Sequence, residues 1–170
     1  APLTHLDPAV IDEIHIEDDQ GNETRLRRVE NSWSLPELDN LPANEEKVAA
    51  LLQIVSSTAH GAPVADTIAA RQRFRVASYH YQRRLNLLSD GKVRDTVYLG
   101  TSPGFRRVHA RNDTTDSIYS IPFNTFDAPA IENDWLDRSV LQVEAPDLIE
   151  GPGFALVRDG FSWVNQNGGL

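Results

Sequence analysis

Cysteine and methionine are absent from this chain of 170 residues. Without cysteine the chain has no disulfide, thiolate metal ligand or thiol nucleophile, while oxidising and reducing compartments both stay open. Long hydrophobic runs are missing too, since none approaches the ~20 apolar residues that a membrane-spanning helix needs. The sequence starts at Ala1 without an initiator methionine, so we expect a processed or excised piece, before which a signal or an anchor could stand.

Positive charge is also scarce. Lys and Arg total 16 against 25 Asp and Glu, so the formal net charge is −9 and the pI is about 4.9. A nucleic-acid-binding domain needs a positive surface that displaces counterions from phosphates, so we expect no nucleic-acid partner and no direct binding to anionic membranes. Hydrophobic residues make up 40% of the chain, which is enough for a folded core.

The opening segment has the pattern of a β-hairpin. Ile14 and Ile16 alternate with charged or polar neighbours, which is the period of a half-buried strand. The stretch DDQGN supplies a turn, and Leu26 lies in the returning strand, after which Trp33 follows. Further hairpins are predicted around SDGK, around NDTTD and in the closing stretch FALVRDGFSWV. Two sets of residues are each expected to share one face of a strand around the SDGK turn: Tyr79, Tyr81, Leu85 and Leu87, and Val93, Val97 and Leu99.

The stretch ANEEKVAALLQIVSSTAHG gives the strongest helix signal in the chain. Its apolar residues recur at the spacing of one helical face. Asn44 is expected to cap the start, and Gly61 and Pro63 to stop the helix, which predicts a helix over about 44–59. Shorter helical pieces are predicted for ADTIAARQRF and ENDWLDRSVL. The residues on the core-facing side of the main helix are Val48, Leu51, Leu52 and Val55.

These signals together predict an α+β fold, a mainly antiparallel twisted sheet of consecutive hairpins with the main helix packed on one face. Residues 1–145 are expected to form the main domain, and 146–170 to begin a possible second repeat unit, a hairpin packed on the first. The pattern L-x-R-x-x-x-S-W occurs twice, 130 residues apart. Two unrelated hairpins that each end on tryptophan are the alternative. The paired residues are Leu26, Arg28, Ser32 and Trp33, and Leu156, Arg158, Ser162 and Trp163.

The order of these segments resembles the family called domain of unknown function 4340. The stretches that carry the resemblance are IDEIHIEDDQGNETRLRR, LPANEEKVAALLQIV, LNLLSDGKVRDTVYLGTSPGFRRVHAR, SIYSI and DWLDRSVL. The resemblance implies a domain outside the cytoplasm, on a protein tethered to a membrane by a helix that this chain lacks. It also implies that some members accompany ABC-type transport or gliding-motility systems. No catalytic motif comes with the family, so the resemblance assigns no site residue.

The stretch GTSPG, residues 100–104, has the G-x-S-x-G spacing of a serine-hydrolase nucleophile elbow. The residue after Ser102 is Pro103, which has no N–H to donate to an oxyanion hole. A strand pattern follows where a helix is needed, and no acid lies between Ser102 and the one later histidine, His109. We therefore interpret this stretch as a strand end followed by a turn.

Four other sets of residues invite a chemical interpretation. Asp134 and Asp137 would share a face of a helical turn and could serve as paired carboxylates of a hydrolase; the alternative is Asp134 as an N-cap beside a buried Trp135. The histidines do not have the spacing of metal ligands. The acidic turn lacks the closing Glu of a calcium-binding loop. The aromatic residues place only two rings on one strand face, which is too few for a sugar-binding platform. The residues concerned are His5, His15, His60, His80 and His109; Glu17, Asp18, Asp19 and Glu23; and Trp33, Trp135, Trp163, Tyr79 and Tyr81.

We therefore predict no catalytic residue, no metal site and no cofactor. The expected function is that of a non-catalytic extracytoplasmic module that contacts a protein partner, in an accessory role within a membrane-associated, transport-type assembly. Exposed strand edges are the expected route for that contact. Two alternatives stay open: a glycan or peptide hydrolase that uses paired carboxylates, and a carrier that holds a small ligand in an apolar cavity.

Overall fold

A computed structural model describes residues 1–139, 148–151, 154–159 and 162–165. Two compact units are found, Ala1–Leu136 and Asp137–Leu170; the predicted boundary after residue 145 lies outside the described residues. The strands are β1 (Glu13–Asp18), β2 (Glu23–Val29), β3 (Ser32–Leu35), β4 (Leu41–Pro42), β5 (Val76–Ala77), β6 (His80–Tyr81), β7 (Arg83–Ser89), β8 (Lys92–Leu99), β9 (Val108–Asn112), β10 (Ile118–Ile121), β11 (Leu148–Gly151), β12 (Phe154–Asp159) and β13 (Ser162–Asn165). The helices are α1 (Glu45–Ser56) and α2 (Ile68–Arg73), with 3-10 turns at Pro8–Val10, Pro36–Leu38, Thr125–Asp127 and Glu132–Trp135.

The first unit is built on one antiparallel sheet of eight strands, in the order β10-β9-β8-β7-β1-β2-β3-β4. Neighbours in the sheet are mostly neighbours in sequence, because the chain forms consecutive hairpins; the exception is β1, which pairs with both β2 and β7. With α1 packed against this sheet, the predicted α+β architecture is confirmed.

The predicted first hairpin and main helix are both confirmed. Ile14, Ile16 and Leu26 are fully buried, and Ile14 lies opposite Leu26 across the two strands. They share one core with the four buried residues of α1, as the helical spacing required. The side chain of Asn44 accepts the N–H of Lys47 at 3.2 Å, which makes it the N-cap.

The main helix ends earlier than predicted. It stops at Ser56, several residues before Gly61, because Ser57 already has an extended backbone with φ −66° and ψ 139°. The hydroxyl of Ser56 bonds back to the carbonyl of Leu52 at 2.8 Å, which occupies one of the carbonyls left open at a helix end.

A β-bulge changes the strand faces around the SDGK turn. Leu87 lies opposite Asp95, and Leu88 lies opposite Val93, so one residue of β8 is skipped. A shift of one residue reverses which side chains face the core. Val93 is therefore 54% exposed although Val97 and Leu99 are fully buried, and the prediction that all three share a face is wrong.

A second apolar layer exists that no pattern in the sequence predicted. A cluster centred on Val76, Tyr98 and Ile118 packs with residues of α2 and of the short β5–β6 ribbon. Tyr98 alternates in β8 with the core residues Val97 and Leu99, so this cluster lies on the sheet face opposite α1. Tyr81 belongs to the β5–β6 ribbon instead of continuing into β7, and Tyr79 is exposed.

Both edges of the eight-stranded sheet leave little room for strand addition. On β10, the backbone of Ile118 bonds to Val64 N–H at 2.7 Å and to Ala65 O at 2.8 Å. On the other side, β4 has only two residues, one of which is Pro42 and cannot donate. The expectation that exposed edges would recruit a partner stays a prediction.

The second unit contains the sheet β11-β12-β13. Its β12–β13 pairing has the same register as β2–β3 after the offset of 130 residues: Arg28 pairs with Trp33, and Arg158 pairs with Trp163. The β11–β12 pairing does not keep this offset, because Ile149 lies opposite Leu156 where Ile14 lies opposite Leu26. The repeat and its packing on the first unit stay predictions.

Candidate functional site

Ser102 is held by backbone carbonyls and not by a base. Its hydroxyl oxygen lies 2.7 Å from the carbonyl of Gly104 and 2.8 Å from that of Arg107. The neighbouring residue Thr101 is the one whose hydroxyl meets His109, with 2.9 Å between Oγ1 and Nδ1. The hydroxyl of Ser102 therefore closes the turn, as the interpretation of GTSPG as a strand end and turn requires.

Two histidines are buried, and neither belongs to a cluster of titratable groups. His60 places Nε2 2.8 Å from the carbonyl of Ile54 near the end of α1, and His109 stacks on Phe74 with ring centroids 4.0 Å apart. Burial lowers the pKa of both imidazoles below 6.5, against the smaller effect of one hydrogen bond each. His60 is thus a neutral donor to the carbonyl of Ile54.

The carboxylates of the acidic turn each have a structural partner. Burial alone would raise the pKa of Asp18, but hydrogen bonds from the side chain of Asn22 and from two backbone N–H groups lower it. The guanidinium of Arg75 lies 2.7 Å from Asp19 and holds its pKa below the ordinary value. Glu17 binds Arg84 and accepts the Tyr81 hydroxyl, and Glu23 pairs with Arg25. The turn borders an open depression of about 430 Å³, also lined by Tyr79 and His80.

Asp134 and Asp137 do not form a catalytic pair on one helical face. The 3-10 turn ends at Trp135, and Leu136 is extended, so the i, i+3 geometry of a helix is broken between them. Asp137 instead accepts the hydroxyl and the N–H of Ser139. Trp135 is fully buried, as the alternative predicted, but the N-cap of the turn is Ile131 and not Asp134.

The aromatic residues considered for a sugar platform lie apart. Trp33 and Trp135 are buried, with the indole N–H of Trp135 donating to a carbonyl at 2.6 Å. Tyr79 is exposed, while the hydroxyl of Tyr81 is used by the acidic turn. The side chain of Trp163 lies outside the described residues. Within the described parts of the chain, no group of three or more histidines and carboxylates is placed to hold a metal ion.

A buried arginine also proves to be structural. Arg111 is 2% exposed, and its guanidinium donates to the carbonyls of Val76, Asn112 and Thr115 at 2.8–3.0 Å. It ties β9 to the β5–β6 ribbon and to the β9–β10 turn. Beside it, burial and the carboxylate of Asp113 raise the pKa of Tyr98 to about 12, so that phenol stays protonated.

One surface combines exposed aromatic rings with arginine. We call it the aromatic loop pair, and it consists of residues 101–107, between β8 and β9, and residues 122–128, which follow β10. Phe105 is 87% exposed and Phe126 is 78% exposed, the two highest values among the large apolar residues of the described chain. Because Val108 pairs with Ile121, both loops lie at the same end of the β9–β10 hairpin.

The first of these loops is held in one shape by many contacts. Thr101 N–H donates to the carbonyl of Phe74, and Arg107 N–H donates to that of Gly104. The guanidinium of Arg107 reaches across to β10 and donates to the hydroxyl and the carbonyl of Ser120 at 2.8 and 2.6 Å. Arg106 has φ +53°, a conformation that costs energy for any residue other than glycine. The fold thus holds Phe105 in water on an ordered loop.

The second loop is also locally built. The side chain of Asn124 accepts the N–H of Phe126 at 3.0 Å and starts the 3-10 turn Thr125–Asp127. Phe123 is buried in the main core, whereas Phe126 points to solvent. One phenylalanine therefore anchors the loop while the other is displayed.

The two loops border one hollow of about 190 Å³. Its lining contains no carboxylate, although the whole chain has a net charge of −9. No sequence pattern marks this site, because its parts come from two separate turns and each exposed phenylalanine stands alone among polar residues. The lining residues are Gln82, Gly100, Ser102, Arg106, Arg107, Val108, Asn124, Thr125 and Phe126.

A hairpin-built antiparallel sheet with one long helix defines the class of the first unit as an α+β domain. The family model described as Domain of unknown function (DUF4340) matches residues 33–152, well over half of the chain, and the chain belongs to this family. The hairpin β1–β2 precedes the matched segment. No curated protein and no solved structure matches the chain.

Among the described helices, none has the length and apolar character needed to cross a bilayer.

Proposed function

We propose that this domain is a non-catalytic, extracytoplasmic binding module that contacts a partner protein through the aromatic loop pair. In this proposal it belongs to a membrane-tethered protein and serves a transport-type assembly as an accessory part. The location outside the cytoplasm and the membrane tether are taken from what the resemblance to this family implies. The contact itself is supported by the geometry of the two loops.

The observation that carries the proposal is the display of Phe105 and Phe126 on two ordered loops. Exposing a large apolar side chain forgoes about 1.5–3 kcal/mol of burial energy. Aromatic residues and arginine are also the residue types that dominate binding energy in protein interfaces.

An ordered loop favours binding because it loses little conformational freedom when a partner docks. The contacts of Arg107, Ser102 and Asn124 supply that order before any partner arrives. Since one edge of the main sheet is short and the other is partly covered, we place the contact at side chains of the loops and not at a strand edge.

The proposal is tested by affinity purification of the full-length protein from mildly crosslinked membranes. The variant carries Phe105→Ala with Phe126→Ala, and the matched control carries Val29→Ala with Val93→Ala, two apolar residues that are each 54% exposed elsewhere. We expect a partner that is recovered with the unmodified protein and the control but is reduced about tenfold or more with the loop variant. Equal recovery with both variants would exclude these loops as the contact.

A further inference from the structure

We propose that the hollow of the aromatic loop pair receives an extended segment of the partner protein that carries an apolar side chain beside a carboxylate. The apolar side chain would occupy the hollow against Phe126, and the carboxylate would pair with Arg106. This inference deepens the proposed function and rests on it, since it states the chemistry of the partner that the loops contact.

The charge around the hollow selects for an anionic group. Two arginines line it and no carboxylate does, in a chain where acids outnumber bases 25 to 16. Two exposed arginines of the sheet are, by contrast, paired with acids: Arg25 with Glu23, and Arg27 with Glu13, each at 3.2 Å. A local excess of positive charge inside a negative molecule favours a partner that brings the missing carboxylate.

Arg106 is the arginine that can serve a partner. Among the described residues its guanidinium makes no hydrogen bond or ion pair, and its central carbon lies 5.0 Å from the ring centroid of Phe105. The guanidinium of Arg107 is already used by Ser120. A guanidinium resting on an aromatic ring keeps its N–H donors at the ring edge, where a carboxylate can accept two of them.

The size and lining of the hollow suit one side chain and not a whole ligand. At about 190 Å³ it falls below the ~300–1,000 Å³ of usual small-molecule pockets. Phe126 and the buried Val108 give it an apolar part, while Asn124 and Thr125 add polar groups for a peptide backbone. An extended segment that inserts one residue meets all of these features.

An anionic membrane is a different partner that the same residue types could meet. The net charge of −9 opposes approach to such a surface, because the repulsion acts on the whole domain while only two arginines lie at the loops. The concave arrangement, with a hollow between the loops, also suits a protruding side chain better than a flat bilayer. We therefore commit to a protein segment.

The test is an NMR titration of the 170-residue chain with two matched peptides, acetyl-Glu-Leu-Phe-Glu-amide and acetyl-Gln-Leu-Phe-Gln-amide. We expect saturable shifts of the amide signals of Gly100, Val108 and Thr125 with the acidic peptide at millimolar concentration. The neutral peptide is expected to bind about three- to fivefold more weakly, the worth of one exposed charged contact. Arg106→Gln should abolish that difference, and Arg106→Lys should retain part of it.

Arg94→Gln is the matched control, because it removes an exposed arginine of β8 and should leave the preference for the acidic peptide unchanged. Equal affinity for both peptides, shifts elsewhere on the domain, or no saturable shift would each overturn the inference. Binding to phosphatidylglycerol vesicles that is lost in the Phe105→Ala variant would also overturn the inference. If the affinity purification recovers a partner but the titration shows no preference for the acidic peptide, this inference alone is contradicted. If the titration shows that preference but the purification recovers no partner, the proposed function is contradicted.

Discussion

Gly100 packs directly against the backbone of Phe74: a β-carbon built on Gly100 would lie 1.9 Å from the carbonyl oxygen of Phe74. The same oxygen accepts the N–H of Thr101 at 2.9 Å, so the end of α2 and the start of the first aromatic loop meet backbone to backbone. A flexible side chain could move aside, but these main-chain atoms cannot. The first glycine of GTSPG is thus required by this close approach, which fixes where the loop that carries Phe105 begins.

Gly100→Ala is therefore expected to destabilise the domain. The added methyl forces α2 and the loop apart, at a cost of about 1–3 kcal/mol or more. Gly104→Ala is the control, because nothing lies within 4 Å of a β-carbon built there, and it should stay within about 0.5 kcal/mol of the parent. Urea unfolding of the two variants measures the difference. Equal stability of both would show that the approach of Gly100 to Phe74 is wrong.

Leu51→Asp tests the assignment of the core-facing side of α1. Leu51 is fully buried, so the carboxylate would lose its hydration without gaining a partner, and we expect a loss of about 3 kcal/mol or more. Ala50→Asp, one residue earlier on the exposed face, should cost no more than about 1 kcal/mol. Thermal melts and soluble yield report the result. An unchanged melting temperature for Leu51→Asp would mean that the helix face is misassigned.

Ser102→Ala tests the structural role of the serine in GTSPG. It removes the hydroxyl that bonds to Gly104 and Arg107, and we expect a loss of about 0.5–1.5 kcal/mol in the free energy of unfolding. Ser102→Thr keeps the hydroxyl and should recover most of that loss. The measurement is equilibrium unfolding, with amide exchange across residues 101–107. If both variants matched the parent in stability and exchange, the hydroxyl would not hold the loop.

The two buried histidines predict a specific dependence of stability on pH. Because burial lowers the pKa of His60 and His109 in the folded state, the unfolded chain binds more protons than the folded one below about pH 6.5. The free energy of unfolding should be unaffected by them above that pH and should fall as the pH drops through the folded-state values. The slope is at most about 1.4 kcal/mol per pH unit for each histidine.

His60→Gln and His109→Gln should each flatten the decline in stability below about pH 6.5, measured by urea titrations at stepped pH. Asp18 and Asp19 act in a lower window, because their pKa values are lowered from 3.8 and the stability they contribute is lost only below about that pH. A decline that persists unchanged in both histidine variants would contradict the assignment.

Local sequence patterns predicted much of this fold because the forces involved are local. The alternation around Ile14, the turn DDQGN and the Asn44 cap each act within a few residues, so they survive in the structure. Position 93 shows the limit of such patterns. A bulge at Leu87 shifts the register, and no alternation in the sequence records that shift.

The candidate surface could not be predicted, because it depends on contacts between distant parts of the chain. Phe123 and Phe126 are chemically identical and three residues apart, yet one is buried and the other exposed. The first aromatic loop is fixed by Phe74 and Ser120, which lie outside its own sequence. A local pattern could argue only against a site at this place, since the proline at position 103 lacks the N–H that an oxyanion hole needs.

Binding of a protein at the aromatic loop pair is tested most directly by a photo-crosslinking amino acid at position 105 of the full-length protein in its native membranes. Position 93 serves as the comparison, since Val93 is also exposed but lies away from the loops. We expect a discrete crosslinked protein from position 105, which is absent from position 93 and weakened by Arg106→Gln. Crosslinking to lipid alone, or the same products from both positions, would contradict the claim that this domain works by binding a protein at the aromatic loop pair.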